Sequence, residues 1–205
     1  MYKLIIIPIA VMLVSLGSCS EDKLTIINSS SISIEEESDL KFSREEEKLA
    51  RDVYLFSYEK YGNVIFNNIA KSEQQHMDQI LMLLNNYQIK DPASSQIGVF
   101  TDQDLQKLYN ELTAKSNISI IDALEVGAII EDLDINDLKI LASRTDKFEI
   151  LNVYEKLQCG SRNHLRSYIN QLDLNNIEYF PEYISTEDFN DIISQTNEQC
   201  VRVTL

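Results

Sequence analysis

Helix breakers, basic clusters and paired cysteines are all scarce in this chain, and each scarcity excludes something. Only 5 Gly and 3 Pro occur in 205 residues, while Leu, Ile, Glu, Asn and Lys are plentiful, so the composition points to an all-α protein. Lys and Arg total 18 against 33 Asp and Glu, a formal net charge of −15. Such a surface, with no basic cluster to offset it, repels phosphate and argues against nucleic-acid binding. The three cysteines form no Cys-x-x-Cys pair, so the chain carries no rubredoxin-like electron-transfer module of its own. There are two histidines, His76 and His164, and both interrupt apolar helical stripes.

The first residues read as an export signal. Lys3 precedes an almost wholly apolar run over residues 4–16, the length of a signal core and too short for a permanent membrane anchor. Leu16-Gly17-Ser18-Cys19 resembles the lipobox of bacterial lipoproteins. Residues 1–18 are therefore expected to be a signal peptide and Cys19 a lipidation site. That would tether the protein to the bacterial cell envelope, at the outer membrane, its periplasmic side or the cell surface. An ordinary signal peptide with a coincidental cysteine is the alternative. Residues 19–40, with Ser29-Ser30-Ser31 and Glu35-Glu36-Glu37, read as a solvated tether. The main domain is expected over 41–173, with a C-terminal extension over 174–205. Outside the cytoplasm Cys159 and Cys200 are free to form a disulfide, which would tie the tail to the last long helix.

Four long segments show a 3.6-residue period. The first, 43–61, opens with a Ser43–Glu46 capping box and carries the stripe Glu47, Ala50, Tyr54, Tyr58, Tyr61. The second, 64–87, reads Ile65, Ile69, Glu73, His76, Ile80, Leu83, Leu84. A short crossover helix is expected over 102–114, capped by Thr101. The third begins near Ser119 and reads Ile120, Leu124, Gly127, Ala128, Glu131, then Asp134 or Ile135, and Leu138; Glu125 and Asp132 mark its charged outer face. The fourth, 148–172, reads Ile150, Val153, Leu157, Ser161, His164, Tyr168, Leu172. Each stripe is broken near its middle by an acid, a histidine or both. Ser185 caps a final short helix.

Glu73 and His76, at i and i+3, lie on one helix face about 5–6 Å apart and can reach the same ion. Four blocks together resemble the DUF2202 family of the ferritin-like superfamily: Glu45-Glu46-Glu47-Lys48-Leu49-Ala50-Arg51-Asp52-Val53-Tyr54, Ser72-Glu73-Gln74-Gln75-His76-Met77, Glu131-Asp132-Leu133-Asp134-Ile135 and Gly160-Ser161-Arg162-Asn163-His164-Leu165-Arg166. The resemblance implies a ferritin-like four-helix bundle with a carboxylate-bridged dinuclear site. It matches Glu47 to the first-helix ligand, Glu73 and His76 to the second-helix pair, Glu131 to the third-helix glutamate and His164 to the fourth-helix histidine. Tyr54 matches the tyrosine packed beside such sites. The fourth-helix pattern is Glu-x-x-His, and Ser161 stands at its glutamate position. Asp134, one turn beyond Glu131, is the candidate replacement; it is equally placed to cap a break in the third helix. Arg162 and Arg166, at ±2 from His164, point away from it; Arg166 is expected to pair with helix-surface carboxylates and Arg51 with Asp52 or Glu47, pairs that are usually solvated.

Mixed carboxylate and imidazole ligands suit iron(II), manganese(II) or zinc. The implied cofactor is two iron ions, with manganese or zinc as alternatives. The implied chemistry is redox turnover of O2 or H2O2, as a ferroxidase or peroxidase. A structural or partner-binding helical lipoprotein, with or without an inert metal, is the competing reading. Oligomeric state is left open, a dimer being one option; no cage is expected of a tethered chain.

Overall fold

The computed structural model describes residues 31–200. The lipidation site expected at Cys19 and the signal peptide over 1–18 lie outside the described residues. Within them the chain is all-helical: α1 (Ile34–Tyr61), α2 (Val64–Asn86), α3 (Gln103–Ser116), α4 (Ile120–Ala142), α5 (Phe148–Leu174) and α6 (Thr186–Ser194). The long helices α1 and α2 pack as one pair and α4 and α5 as another, with α3 lying against α1 and α4.

The helix ends follow from local chemistry. Asn63, Asp102, Ser119 and Ser185 each cap a helix by accepting backbone N–H groups. The cap of α3 is thus Asp102 and not Thr101. Gly62 closes α1 at φ 65°, a left-handed conformation that costs glycine little.

The largest departure from the sequence reading is where α1 begins. The helix starts at Ile34, so the stretch read as the end of a solvated tether is folded. Its capping box is Ser33 with Glu36: Glu36 N donates to Ser33 Oγ at 3.0 Å and Ser33 N to Glu36 Oε2 at 2.8 Å. Glu35, Glu36 and Glu37 fill the first turn, where acidic groups complement the helix dipole. Ser43, with the same spacing to Glu46, sits inside the helix and donates to Leu40 O. The inward face of this first stretch is polar, which conceals its period. Glu36 accepts from Thr145 Oγ1 at 2.6 Å and Asp39 from Arg144 at 3.0 Å, and Leu40 is fully buried.

Two apolar cores result. One gathers Leu49, Val53, Tyr54, Phe66, Leu124 and Tyr168. The other gathers Leu40, Ile80, Leu84, Leu138, Ile150 and Leu157. The membership fixes direction: α1 and α5 run from the second core to the first, α2 and α4 from the first to the second. Because α2 and α4 run the same way, their connection must cross the length of the bundle, and α3 lies in it. Between the cores sits a buried polar layer containing Glu46, Glu47, Glu73, His76, Glu131, Asp134, Ser161 and His164.

The C-terminal extension is pinned to the bundle by residues read as surface charges. Asp132 is fully buried, not on an outer face. It accepts from Tyr179 Oη (2.9 Å), Glu182 N (2.6 Å), Tyr183 N (3.2 Å) and Ile184 N (2.8 Å). Arg162 and Arg166 both bind Glu198, and Arg166 Nε also donates to Ile192 O. A disulfide joins Cys159 to Cys200, with Cα atoms 5.5 Å apart. Removing the Asp132 carboxylate orphans four donors, each costly when buried. Asp132→Ala should therefore lower unfolding free energy by about 3–5 kcal/mol in urea denaturation; a loss below about 1 kcal/mol would contradict this role.

Candidate metal centre

The polar layer forms because four helices bring hydrophilic residues to one level. Glu73 and His76 share a face of α2, α1 supplies Glu47, α4 supplies Glu131 and Asp134, and α5 supplies Ser161 and His164. All are buried. Unpaired ionised carboxylates at this depth are costly unless something cationic compensates them.

Glu73 is central. Its Oε2 lies 2.8 Å from His76 Nδ1 and its Oε1 2.8 Å from His164 Nδ1. Glu47 Oε2 approaches the same His76 nitrogen at 3.1 Å, and Glu131 Oε2 approaches that of His164 at 3.4 Å. The imidazoles stack with centroids 5.6 Å apart. Two triads sharing Glu73 result, Glu47–Glu73–His76 and Glu73–Glu131–His164. In each, the potential ligand atoms all lie within 4.8 Å of one another.

Outer partners hold these groups. Tyr54 Oη donates to Glu131 Oε1 at 2.6 Å, and its ring packs on Tyr168 at 5.4 Å. Ser72 Oγ meets His164 Nε2 at 3.0 Å, leaving Nδ1 turned inward, a common arrangement for an imidazole ligand. A Cβ at Gly160 would stand 2.5 Å from His76 Nε2, so the His76 ring occupies space that only glycine leaves.

Asp134 lies beside the triads but in neither of them. Helix α4 is unbroken through it, so it caps nothing. Its Oδ2 lies 2.5 Å from Ser161 Oγ, and it is the strongest charged neighbour of Glu47. Tyr58, placed on the inner stripe, is substantially exposed.

The electrostatics are those of a layer with too many carboxylates. Burial opposes charge on His164, but Glu73 and then Glu131 overrule it and push its pKa up to about 10. Burial opposes charge on His76 as well, and Glu47 and Glu73 raise it well above its ordinary value. Burial would also raise Glu73, yet the imidazolium of His164, then that of His76, holds it far below the carboxylate range. Burial and the Asp134 charge push Glu47 well up. Burial and Glu131 push Asp134 up to about 7.

The donor set fits metal ions. Glu47 Oε1, Glu73 Oε1 and His164 Nδ1 are buried without a hydrogen-bond partner; the last two approach each other without the alignment of a hydrogen bond. Four carboxylates, Glu47, Glu73, Glu131 and Asp134, with two neutral imidazoles carry a formal charge of −4, which two divalent cations would neutralise.

Two residues at this level, Ser72 beside the centre and Glu46 outside both triads, escaped the sequence reading. Ser72 gave no signal, because its partner His164 is remote in sequence. Glu46 did give one: with Leu49, Ala50 and Val53 it shares a buried stripe of α1, which its place among three consecutive glutamates obscured.

The chain belongs to the DUF2202 family, described as an uncharacterized protein domain, whose pattern it matches over residues 36–196. It is similar to the uncharacterized protein MJ0754 of Methanocaldococcus jannaschii, with 49% identity over 169 residues, spanning 82% of this chain and 91% of the relative. The crystal structure of that hypothetical protein superposes with a TM-score of 0.81, covering 82% of this chain and 96% of the other.

The titrations predict a pH dependence for metal-free protein. His164, raised from 6.5 to about 10, contributes stability that is fully present below pH 6.5 and is lost as pH rises through about 10. Asp134, raised from 3.8 to about 7, acts with the same sign lower down, its contribution fading from pH 3.8 to about 7. The Tm of chelator-treated protein should fall as pH rises from 6 to 10, and His164→Gln should flatten the upper part of that decline. A wild-type Tm that climbs over this range would contradict the assignment.

Proposed function

We propose that this is a ferritin-like protein whose polar layer holds two iron ions for redox chemistry with O2 or peroxide. The observation that carries the reading is Glu73, whose two oxygens each meet a different buried imidazole. The helix directions add support, since two antiparallel pairs joined by one long crossover match the ferritin-like arrangement. Mixed oxygen and nitrogen donors favour iron(II), manganese(II) or zinc over Ca²⁺ and Mg²⁺.

Glu47, Glu73 and His76 would hold one ion, and Glu73, Glu131 and His164 the other. When bound, the ion pair supplies electrons to O2 or peroxide. The protein supplies the geometry: Tyr54 fixes Glu131, Ser72 fixes His164, and Ser161 anchors Asp134 within reach of the same layer. A cleft of about 330 Å³ lined by Ser72, Gln75, Gln79, Lys156 and both histidines would be the approach of a small oxidant from the imidazole side. An inert centre, such as zinc, is the competing outcome; Ser161 favours it, because a carboxylate there would complete a second Glu-x-x-His pair.

The proposed location is the cell envelope, through a lipid on Cys19. Support comes from the sequence of residues 4–19 and from the Cys159–Cys200 disulfide, which suits an oxidising compartment. No helix among the described residues is long and apolar enough to cross a membrane. Labelled palmitate fed to an expressing bacterium should enter the wild type and not Cys19→Ala; equal labelling would refute the anchor.

Anaerobic titration with Fe(II) should saturate at two ions per chain. Admitting air or H2O2 should then produce near-ultraviolet absorbance. Glu73→Ala removes the group common to both triads and should abolish both effects. Protein that takes up no iron, or a Glu73→Ala variant that loads normally, would exclude the centre. Iron bound without any response to either oxidant would leave the inert reading.

A further inference from the structure

Glu46 has no part in the centre described above, yet it is 4% exposed and neither carboxylate oxygen has a hydrogen-bond donor in reach. A buried carboxylate is ordinarily satisfied several times over. The charged groups that act on it are themselves acids, Asp134, Asp137 and Glu47, with Asp137 within hydrogen-bond range. Glu46 therefore faces other carboxylates, an arrangement satisfied by a shared proton or by a cation.

The surroundings give this cluster a direction. Asp137 is half-buried and lines a cleft of about 510 Å³ between α1 and α4. Four acids, Asp39, Glu45, Asp102 and Asp137, face the cleft against two cations, Lys41 and Arg144. Lys41 is engaged by Glu37 and Arg144 by Asp39, and Glu45 and Asp102 accept from backbone donors of the crossover, so Asp137 is the cleft acid held by neither a cation nor a backbone donor. Inward from the cleft the acids follow the helix repeat. Asp137 and Asp134 are one turn apart on α4, and Glu46 follows Phe42 of the cleft wall by one turn on α1. The one-turn step from Asp137 to Asp134 is about 5–6 Å, and Glu46 reaches across from α1 to hydrogen-bond range of Asp137.

We propose that divalent cations enter the bundle through the α1–α4 cleft and pass from Asp137 to Glu46 to Asp134 before reaching Glu47 and Glu73. The inference rests on the metal-centre reading and adds an entry supplied by Glu46 and Asp137, which lie outside both triads. Glu46 and Asp137 form a pair and not a cage: among the described residues, neither belongs to a group of three close ligands. They speed passage without retaining the ion. The cleft beside the imidazoles is the competing entrance, and it presents Lys156, whose charge opposes a cation.

The test is the rate at which Co(II), added to metal-free full-length protein, develops its visible absorbance in stopped flow, with final stoichiometry from calorimetry. Glu46→Gln is isosteric and removes an unpartnered buried acid, so the fold should tolerate it; Asp137→Asn sits at the cleft and provides a second variant. Each should slow loading about tenfold, the low end of electrostatic focusing in charged clefts, while the stoichiometry stays at the wild-type value. Gln79→Trp, which narrows the imidazole-side cleft, should load at the wild-type rate. Normal loading by both acid variants, or slowing by Gln79→Trp alone, overturns the path and leaves the centre standing. Wild-type protein that binds no Co(II) removes the centre and the path together.

Discussion

One carboxylate placed between two imidazoles organises this molecule. Glu73 meets Nδ1 of His76 with one oxygen and Nδ1 of His164 with the other, and the remaining acids crowd around that bridge. Burying so many acids opposes folding unless each finds a proton, a donor or a cation. In the metal-free protein the histidines serve as that cation, which is why both are held protonated. Metal ions would replace those protons, so binding and proton release are coupled. The apolar cores on either side then act as walls, keeping water from a layer whose electrostatics depend on its exclusion.

The run Glu45-Glu46-Glu47 shows how position on a helix divides labour among identical residues. Glu45 points to the crossover and accepts from Thr101 N and Asp102 N at 2.7 and 2.9 Å, holding the entry to α3. Glu46 turns toward α4 with no donor. Glu47 turns to His76. The next residue, Lys48, is fully buried, binds Asp52 at 2.5 Å and lies 4.2 Å from the Phe100 ring centroid. Asp52 also accepts from Gly98 N and Arg51. This stretch of α1 therefore carries both the crossover's anchor and part of the candidate centre, so disturbance of the loop over residues 92–101 would be felt at the layer.

Much of the architecture was legible in the sequence because it rests on local pattern. The apolar period marks the long helices, and the polar breaks in their stripes fall at one level. Glu73-x-x-His76 is a weak signal by spacing alone and gains its weight from lying between Ile69 and Ile80 on an apolar stripe. What escaped detection depends on partners remote in sequence. The start of α1 is hidden because its inner face is made of acids paired with Arg144 and Lys147 and hydrogen-bonded by Thr145. Asp132, Arg162 and Arg166 looked like surface charge, since the tail they hold arrives only when the chain has folded. Asp134 was open between ligand and cap; the unbroken helix removes the cap, and Ser161 gives it a fixed orientation toward the layer.

The central claim is that two ions sit on either side of the Glu73 carboxylate. Anomalous diffraction at the iron edge, from crystals grown anaerobically with Fe(II), tests it most directly. Two peaks are predicted, one beside His76 Nδ1 and one beside His164 Nδ1, with Glu73 between them. A single peak remote from both nitrogens, or none at all in iron-saturated crystals, would contradict the account.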